Sequence, residues 1–173
     1  MYPCNGKIEH IRGDNMFRKM RRFKQRITDG ECIAILKSQP RGVLSLVGDD
    51  GYPYGLPISY WYDEKSGNIC FHGAKEGHKI DSLLACPKAS FCVYDEGYRR
   101  DGEWALNIKS VIVFGKVQFV EDYDRAIEIS RNLCRKFTDD EKYIEEEIEN
   151  AGSRVQCLEL VPEHMTGKLV NES

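Results

Sequence analysis

The chain lacks most of the signatures that assign a function at sight. Its 173 residues hold no Walker glycine-lysine loop and no G-x-G-x-x-G fingerprint. A hydrolysed nucleotide on a P-loop and a resident dinucleotide on a Rossmann fold are therefore not expected. There is no excess of one charge sign: 25 basic residues face 28 acidic ones, with a pI near 5.9. That balance argues against a nucleic-acid surface. The one basic run, Arg18 to Arg26, reads as a solvated lead-in to the first helix. No stretch approaches the roughly 20 apolar residues of a membrane span, and the start carries no signal-peptide pattern. Seven cysteines are an odd number without any C-x-x-C spacing. Free thiols in a reducing, cytoplasmic setting are expected, rather than a disulfide framework or a metal site.

What the chain does have is concentrated between Asn68 and Asp81. An apolar run, Ile69-Cys70-Phe71, ends at His72, passes Gly73-Ala74-Lys75-Glu76-Gly77, and enters a helix carrying His78 and Lys79 in its first turn. Glycines let backbone N–H groups approach a ligand closely, and the first helical amides have no intrahelical partner. A lysine and an imidazole placed there make a site for a phosphate. The bland alternative is a solvated basic helix start.

The surrounding pattern predicts a mainly β (α+β) fold. Thr28-Asp29-Gly30-Glu31 has capping-box spacing before a short helix. Strands are expected over Arg41 to Val47, Pro53 to Tyr62, Asn68 to Gly73 and Ala89 to Tyr94. The longest candidate, Asn107 to Val120, carries an interior Gly115, the usual mark of a bulge. Asp49-Asp50-Gly51 reads as a hairpin turn, and Pro87 stops the helix begun at His78. An amphipathic helix is expected from Asp122, and a second from the capping-box spacing Thr138 to Glu141. Val155 to Val161 supplies a last strand closed by Pro162. Hairpins with short helical connections favour an antiparallel barrel over a parallel sheet. With no repeat or linker, residues 1–173 read as one domain, of which 1–19 are a lead-in.

Several segments together resemble the flavin-binding split-barrel superfamily. They are Arg41-Gly42-Val43-Leu44-Ser45, Asp50 to Ser59, Phe71-His72-Gly73-Ala74, Gly77-His78-Lys79 and Ser110 to Gly115. Within it, the chain looks most like the nitroimidazole-resistance group related to pyridoxamine 5′-phosphate oxidase, over roughly residues 20–168. The resemblance implies a six-stranded antiparallel split barrel with flanking helices. It also implies a homodimer holding one FMN, with FAD as the alternative, at each of two sites between subunits. Leu56 to Trp61 matches the strand beside the isoalloxazine, so Pro57, Ile58 and Ser59 are implied flavin contacts. Phe71, His72 and Gly73 match the end of the third strand, His78 and Lys79 the phosphate pair, and Ser110 a glutamine near the flavin. Three departures stand out: Trp61 replaces a lysine of the oxidases, while Leu56 and His78 replace arginines. Oxidation of pyridoxamine phosphate is accordingly not expected.

Each implied contact has a second reading. Lys79 and His78 could merely cap a solvated turn, and His72 could be a packed structural histidine instead of a substrate contact and proton carrier. Ser59 and Ser110 could face solvent. Tyr54, Tyr60, Trp61 and Trp104 could stack on a flavin or pack into a core or interface. His164 and Lys168 resemble the group's tail and read as surface positions. The functional expectation is an FMN oxidoreductase. It would pass electrons from a transient reduced nicotinamide to a small oxidised substrate such as a nitroaromatic. The alternative is a non-catalytic flavin- or haem-binding protein.

Overall fold

In the computed structural model, which describes residues 17–48 and 51–171, helices are interspersed among the strands. Helix α1 is Asp29–Ser38, followed by β1, Arg41–Val47; β2, Pro53–Ser59; β3, Trp61–Tyr62; and β4, Ile69–Ala74. Then come α2, His78–Ala85; β5, Lys88–Tyr94; β6, Asn107–Phe119; α3, Tyr123–Arg135; α4, Glu141–Ala151; and β7, Val155–Asn171. The strands form one antiparallel sheet in the order β2-β1-β5-β6-β7-β4-β3. Its two edges are consecutive in sequence, separated by Tyr60 alone, so the sheet must curl until those edges meet.

The count is seven strands, not six, because the expected strand Pro53 to Tyr62 is divided. Its first part pairs with β1 and its last two residues pair with β4. Tyr60, at the crossing, is fully buried and packs edge-on against Phe91 at 4.7 Å between ring centroids. A large ring driven into the core turns the backbone from one sheet edge to the other, which alternation alone does not reveal. Leu44, Phe71, Phe91, Val111 and Leu158 fill the interior with it.

The long pair β6–β7 carries the predicted irregularity. Phe114 pairs with His164 and Gly115 with Pro162, which leaves Glu163 as the extra residue of a bulge. A Cβ on Gly115 would collide with the carbonyl oxygen of Val161. Pro162 has no N–H to give, and a bulge is one of the few places where a sheet interior tolerates it. The last strand therefore does not stop at Val161; it continues through Pro162 to Asn171. The surface tail expected at His164 and Lys168 is in fact the second half of β7.

Helix ends follow their caps. Thr28 and Glu31 form the reciprocal capping box expected of them. At α4 the expected box at Thr138 is not used; Asp140 accepts from the Tyr143 amide, so the cap lies two residues later. Helix α3 packs through Ile129 and Leu133 on Cys70 and Cys157, covering the outer side of β4. Its Arg125 donates to Asp63, Glu128 and Glu159 at 2.6–2.7 Å, and lies over the Trp61 ring. Cys32, Cys70, Cys92, Cys134 and Cys157 are free thiols, whereas Cys86 is disulfide-bonded, against expectation. The turn expected at Asp49-Asp50-Gly51 lies partly outside the described residues, as does most of the N-terminal lead-in. Among the described residues, no helix is long and apolar enough to cross a membrane.

Candidate functional site

The turn between β4 and α2 is built as the sequence reading anticipated. Gly77 has φ 109°, a conformation side chains resist, and its carbonyl accepts the Ile80 and Asp81 amides that open α2. That geometry turns the chain sharply and brings Lys79 back over β4. A Cβ on Gly73 would coincide with the Lys79 ammonium, so the missing side chain is what lets the lysine lie there. Burial holds Lys79 below the ordinary lysine range. Among the described residues no carboxylate lies within ion-pair distance of it. A half-buried ammonium without a counter-ion attracts an anion strongly, because the desolvation cost is already met before the anion arrives. His78 stacks on Tyr54 of β2 at 4.1 Å and 16°, fixing the turn against the neighbouring strand.

His72 goes elsewhere. It shares the side of β4 that carries Cys70, so its ring is turned towards α3 and α4. There it lines a cavity of about 60 Å³ with Ser130, Cys134, Glu147 and Val155. Burial, and secondarily the Lys79 ammonium, hold it below the usual imidazole range. Phe71 is fully buried, and Ile58 packs against the same core. Of Phe71 only the backbone is free to meet a ligand, whereas Ile58 is partly exposed.

Pro57, Ser59 and Ser110 lie on the outer side of the sheet, opposite the core. The registers align residues there into rows. Pro57, Val43, Cys92, Ile112 and Thr166 form one; Gly55, Ser45, Ser90, Phe114 and His164 form the next. Ser110 pairs with Lys168 and Tyr94 at one end of the second pair of strands. The rows are small or apolar at their centre, and Val43, Ile112 and Phe114 are each 37–39 % exposed there. Over the β6–β7 end lies a cavity of about 410 Å³ lined by Ser110, Phe114, His164, Thr166 and Lys168, with Phe17 and Arg18 from the N-terminal side. His164 and Lys168 belong to this cavity; the visible signal was their i, i+2 spacing with Thr166, masked by the strand-stopping reading of Pro162. Trp104 stands 74 % exposed, away from these residues, and Trp61 is held under Arg125.

A curled antiparallel half-barrel, with a cation-bearing turn after the strand next to its edge, is the split-barrel class. A family model described as pyridoxamine 5′-phosphate oxidase matches residues 28–169, and the chain belongs to that family. A search of curated protein sequences returns no match. Solved structures share the fold. One is a Bacteroides thetaiotaomicron protein assigned to 5-nitroimidazole antibiotic resistance. It has a TM-score of 0.70 and 18 % identity, over 84 % of this chain and 87 % of that one. A FAD-binding protein from Mesorhizobium loti aligns with a TM-score of 0.60 and 20 % identity, over 84 % and 97 % of the two chains. A FAD- and haem-binding protein from Mycobacterium smegmatis aligns with a TM-score of 0.64 and 18 % identity, over 87 % and 74 %. At these identities the likeness is one of fold.

Proposed function

We propose that the protein is a dimeric flavin-binding oxidoreductase that takes FMN. The observation that supports it most is the Lys79 ammonium, half-buried over Gly73 with no carboxylate beside it among the described residues. A single phosphomonoester matches one cation and the free amides of one helix start. Family membership and the flavin-binding structural relatives add support. When bound, FMN would supply hydride and single-electron chemistry that no side chain in this chain can perform.

The residues present fit such a group in two places. Lys79, the α2 amides and His78 would hold the phosphate. The backbone of Pro57-Ile58-Ser59, on the strand that His78 is stacked against, would run along the ring. Ser110 is three strands away from β2, about 14 Å at the usual interstrand spacing. One ring meets both most simply if Ser110 comes from a second copy. The exposed apolar centre of the intervening strands is the face on which that copy would sit, giving two equivalent sites about a twofold axis. His72, enclosed by α3 and α4, serves to position the Gly73 turn. A reduced nicotinamide would come and go as a substrate, since no dinucleotide fold is present.

The test joins assembly to cofactor. Light scattering and FMN fluorescence titration are run on wild type and on Ile112→Glu, which places a charge in the centre of the exposed face. A wild-type dimer that takes one FMN per chain is expected, with a monomeric variant that has lost FMN affinity. A flavin-loaded wild-type monomer at micromolar concentration would contradict the shared site.

A further inference from the structure

The basic run Arg18 to Arg26 is a strap fastened to the barrel at both ends. Before it, the Phe17 ring stacks on His164 at 4.7 Å and 5°. After it, the Ile27 amide donates to the Gly167 carbonyl at 3.1 Å, and Arg26 pairs with Lys168 in an antiparallel bridge. A Cβ on Gly167 would collide with Ile27 and Cys32, so the bare glycine lets Ile27 seat itself against β7. Between these two pins the backbone makes one short 3-10 turn, Phe23–Gln25, which buries none of its residues. A hollow of about 300 Å³ at the turn is lined by Arg21 to Gln25 alone, with no wall from the barrel.

Two features set the strap apart. Arg18, Lys19, Arg21, Arg22, Lys24 and Arg26 place six cations in nine residues with no carboxylate among them, and all six are exposed. Removing them from a chain of net charge −3 leaves −9 on the remaining residues, so the two signs are segregated. Among the described residues the strap has one ion pair, Arg26 with Asp29 at 3.3 Å. In the midst of the cations stands Phe23, 70 % exposed.

We infer that the strap is a docking surface for a lipid bilayer rich in anionic headgroups, with its cations at the level of the lipid phosphates and the Phe23 ring inserted beneath them. A dense, flat array of anions matches cations carried on an exposed turn. A bound peptide or small anion would need a groove or convergent donors, which the turn does not provide. An aromatic side chain flanked by cations is the composition of an interfacial anchor. Single-stranded nucleic acid also meets cations, but it is held by several rings that stack successive bases. The strap offers one free ring, because Phe17 is engaged by His164. The acidic remainder does not cancel the attraction: at physiological ionic strength charges more than about 8 Å from the headgroups are screened. The strap is therefore felt, the body is not, and the β6–β7 end of the barrel faces the lipid. This inference makes no use of the flavin.

Sedimentation of the full chain with vesicles tests it. One set is phosphatidylcholine alone, the other equal parts phosphatidylcholine and phosphatidylglycerol. Wild type is expected to bind the mixed vesicles at least ten-fold more strongly, and to lose most of that binding at about 1 M salt, where the screening length is about 3 Å. Each cation removed should weaken binding about five-fold, so Arg21→Gln combined with Arg22→Gln should weaken it roughly twenty-fold. Lys142→Gln, an exposed cation on α4, should leave it unchanged. Phe23→Ser should weaken it by about three- to ten-fold. Phe23→Trp keeps the anchor and reports its depth: its emission should shift to the blue with mixed vesicles, beyond any change from Trp61 and Trp104 in wild type. Melting curves of all variants exclude unfolding as the cause. Equal binding to the two vesicle sets, an unaffected double variant, or a Phe23→Trp emission that does not shift would overturn the inference. Tighter binding to a single-stranded oligonucleotide than to mixed vesicles would overturn it in favour of nucleic acid. A lower mass in light scattering for the double variant than for wild type would overturn it in favour of a second copy of this chain.

Discussion

Replacing Lys79 with alanine should separate phosphate recognition from ring recognition. The ammonium lies over Gly73, half-buried, and burial alone already lowers its pKa. A phosphate that pairs with it gains a charge-assisted contact of about 1.5–3 kcal/mol, so Lys79→Ala should weaken FMN by roughly ten- to a hundred-fold. Riboflavin carries the same ring and no phosphate, and its affinity should be the same in both proteins. Gly73→Ala provides an independent route to the same end, because its methyl group would occupy the position of the ammonium. The lysine is a flexible side chain and swings away at little cost to the fold, so the variant should melt near wild type while losing FMN affinity. Fluorescence titration of the three proteins with both flavins measures all six combinations. Equal FMN affinity in wild type and Lys79→Ala would remove the lysine from the site. A parallel loss of riboflavin would show that the turn acts on the ring instead.

Other outcomes follow from the rest of the molecule. His72→Ala should lower the melting temperature and weaken FMN together, and His72→Gln should restore part of each; a stably folded His72→Ala with intact FMN binding but slow reoxidation by a nitroaromatic would instead make the histidine a proton carrier. Arg125→Met leaves Asp63, 3 % exposed, and Glu159 without their cation. A loss of about 3–5 kcal/mol in urea denaturation is expected, and a loss below about 1 kcal/mol would show that the charges escape to water. Lys136 donates to the Gln39 carbonyl at 2.6 Å over the Tyr60 ring, and burial pulls its pKa down from 10.5 to about 8. Because the folded state binds that proton less tightly than the unfolded chain, the lysine's penalty is full below pH 8 and fades as pH rises towards 10.5. Thermal melts of wild type should therefore gain stability across that window relative to Lys136→Met; parallel pH profiles would refute the shift.

Most elements were legible because their signals are local. The capping box at Thr28, the strand Arg41–Val47, the Gly77 turn and the bulge at Gly115 each depend on residues adjacent in sequence. The misread features depend on partners far away. Tyr60 divides its strand because Phe91 and the core receive its ring, and Pro162 is tolerated because Gly115 opposes it on β6. That second error hid the cavity, since His164 and Lys168 join Ser110 only when β7 is known to continue. The side on which His72 lies followed from alternation, but the helices that enclose it could not be foreseen from the strand itself. Pairing registers and long-range packing, not local propensity, set what remained.

The central claim, that the chain holds a phosphate-bearing flavin, is tested most directly by releasing whatever cofactor the purified protein carries and weighing it by mass spectrometry. The account predicts FMN at one molecule per chain, restored to the same stoichiometry when the stripped protein is given FMN. Release of haem, or a folded protein that carries no flavin and takes up none when FMN is supplied at micromolar concentration, would contradict it.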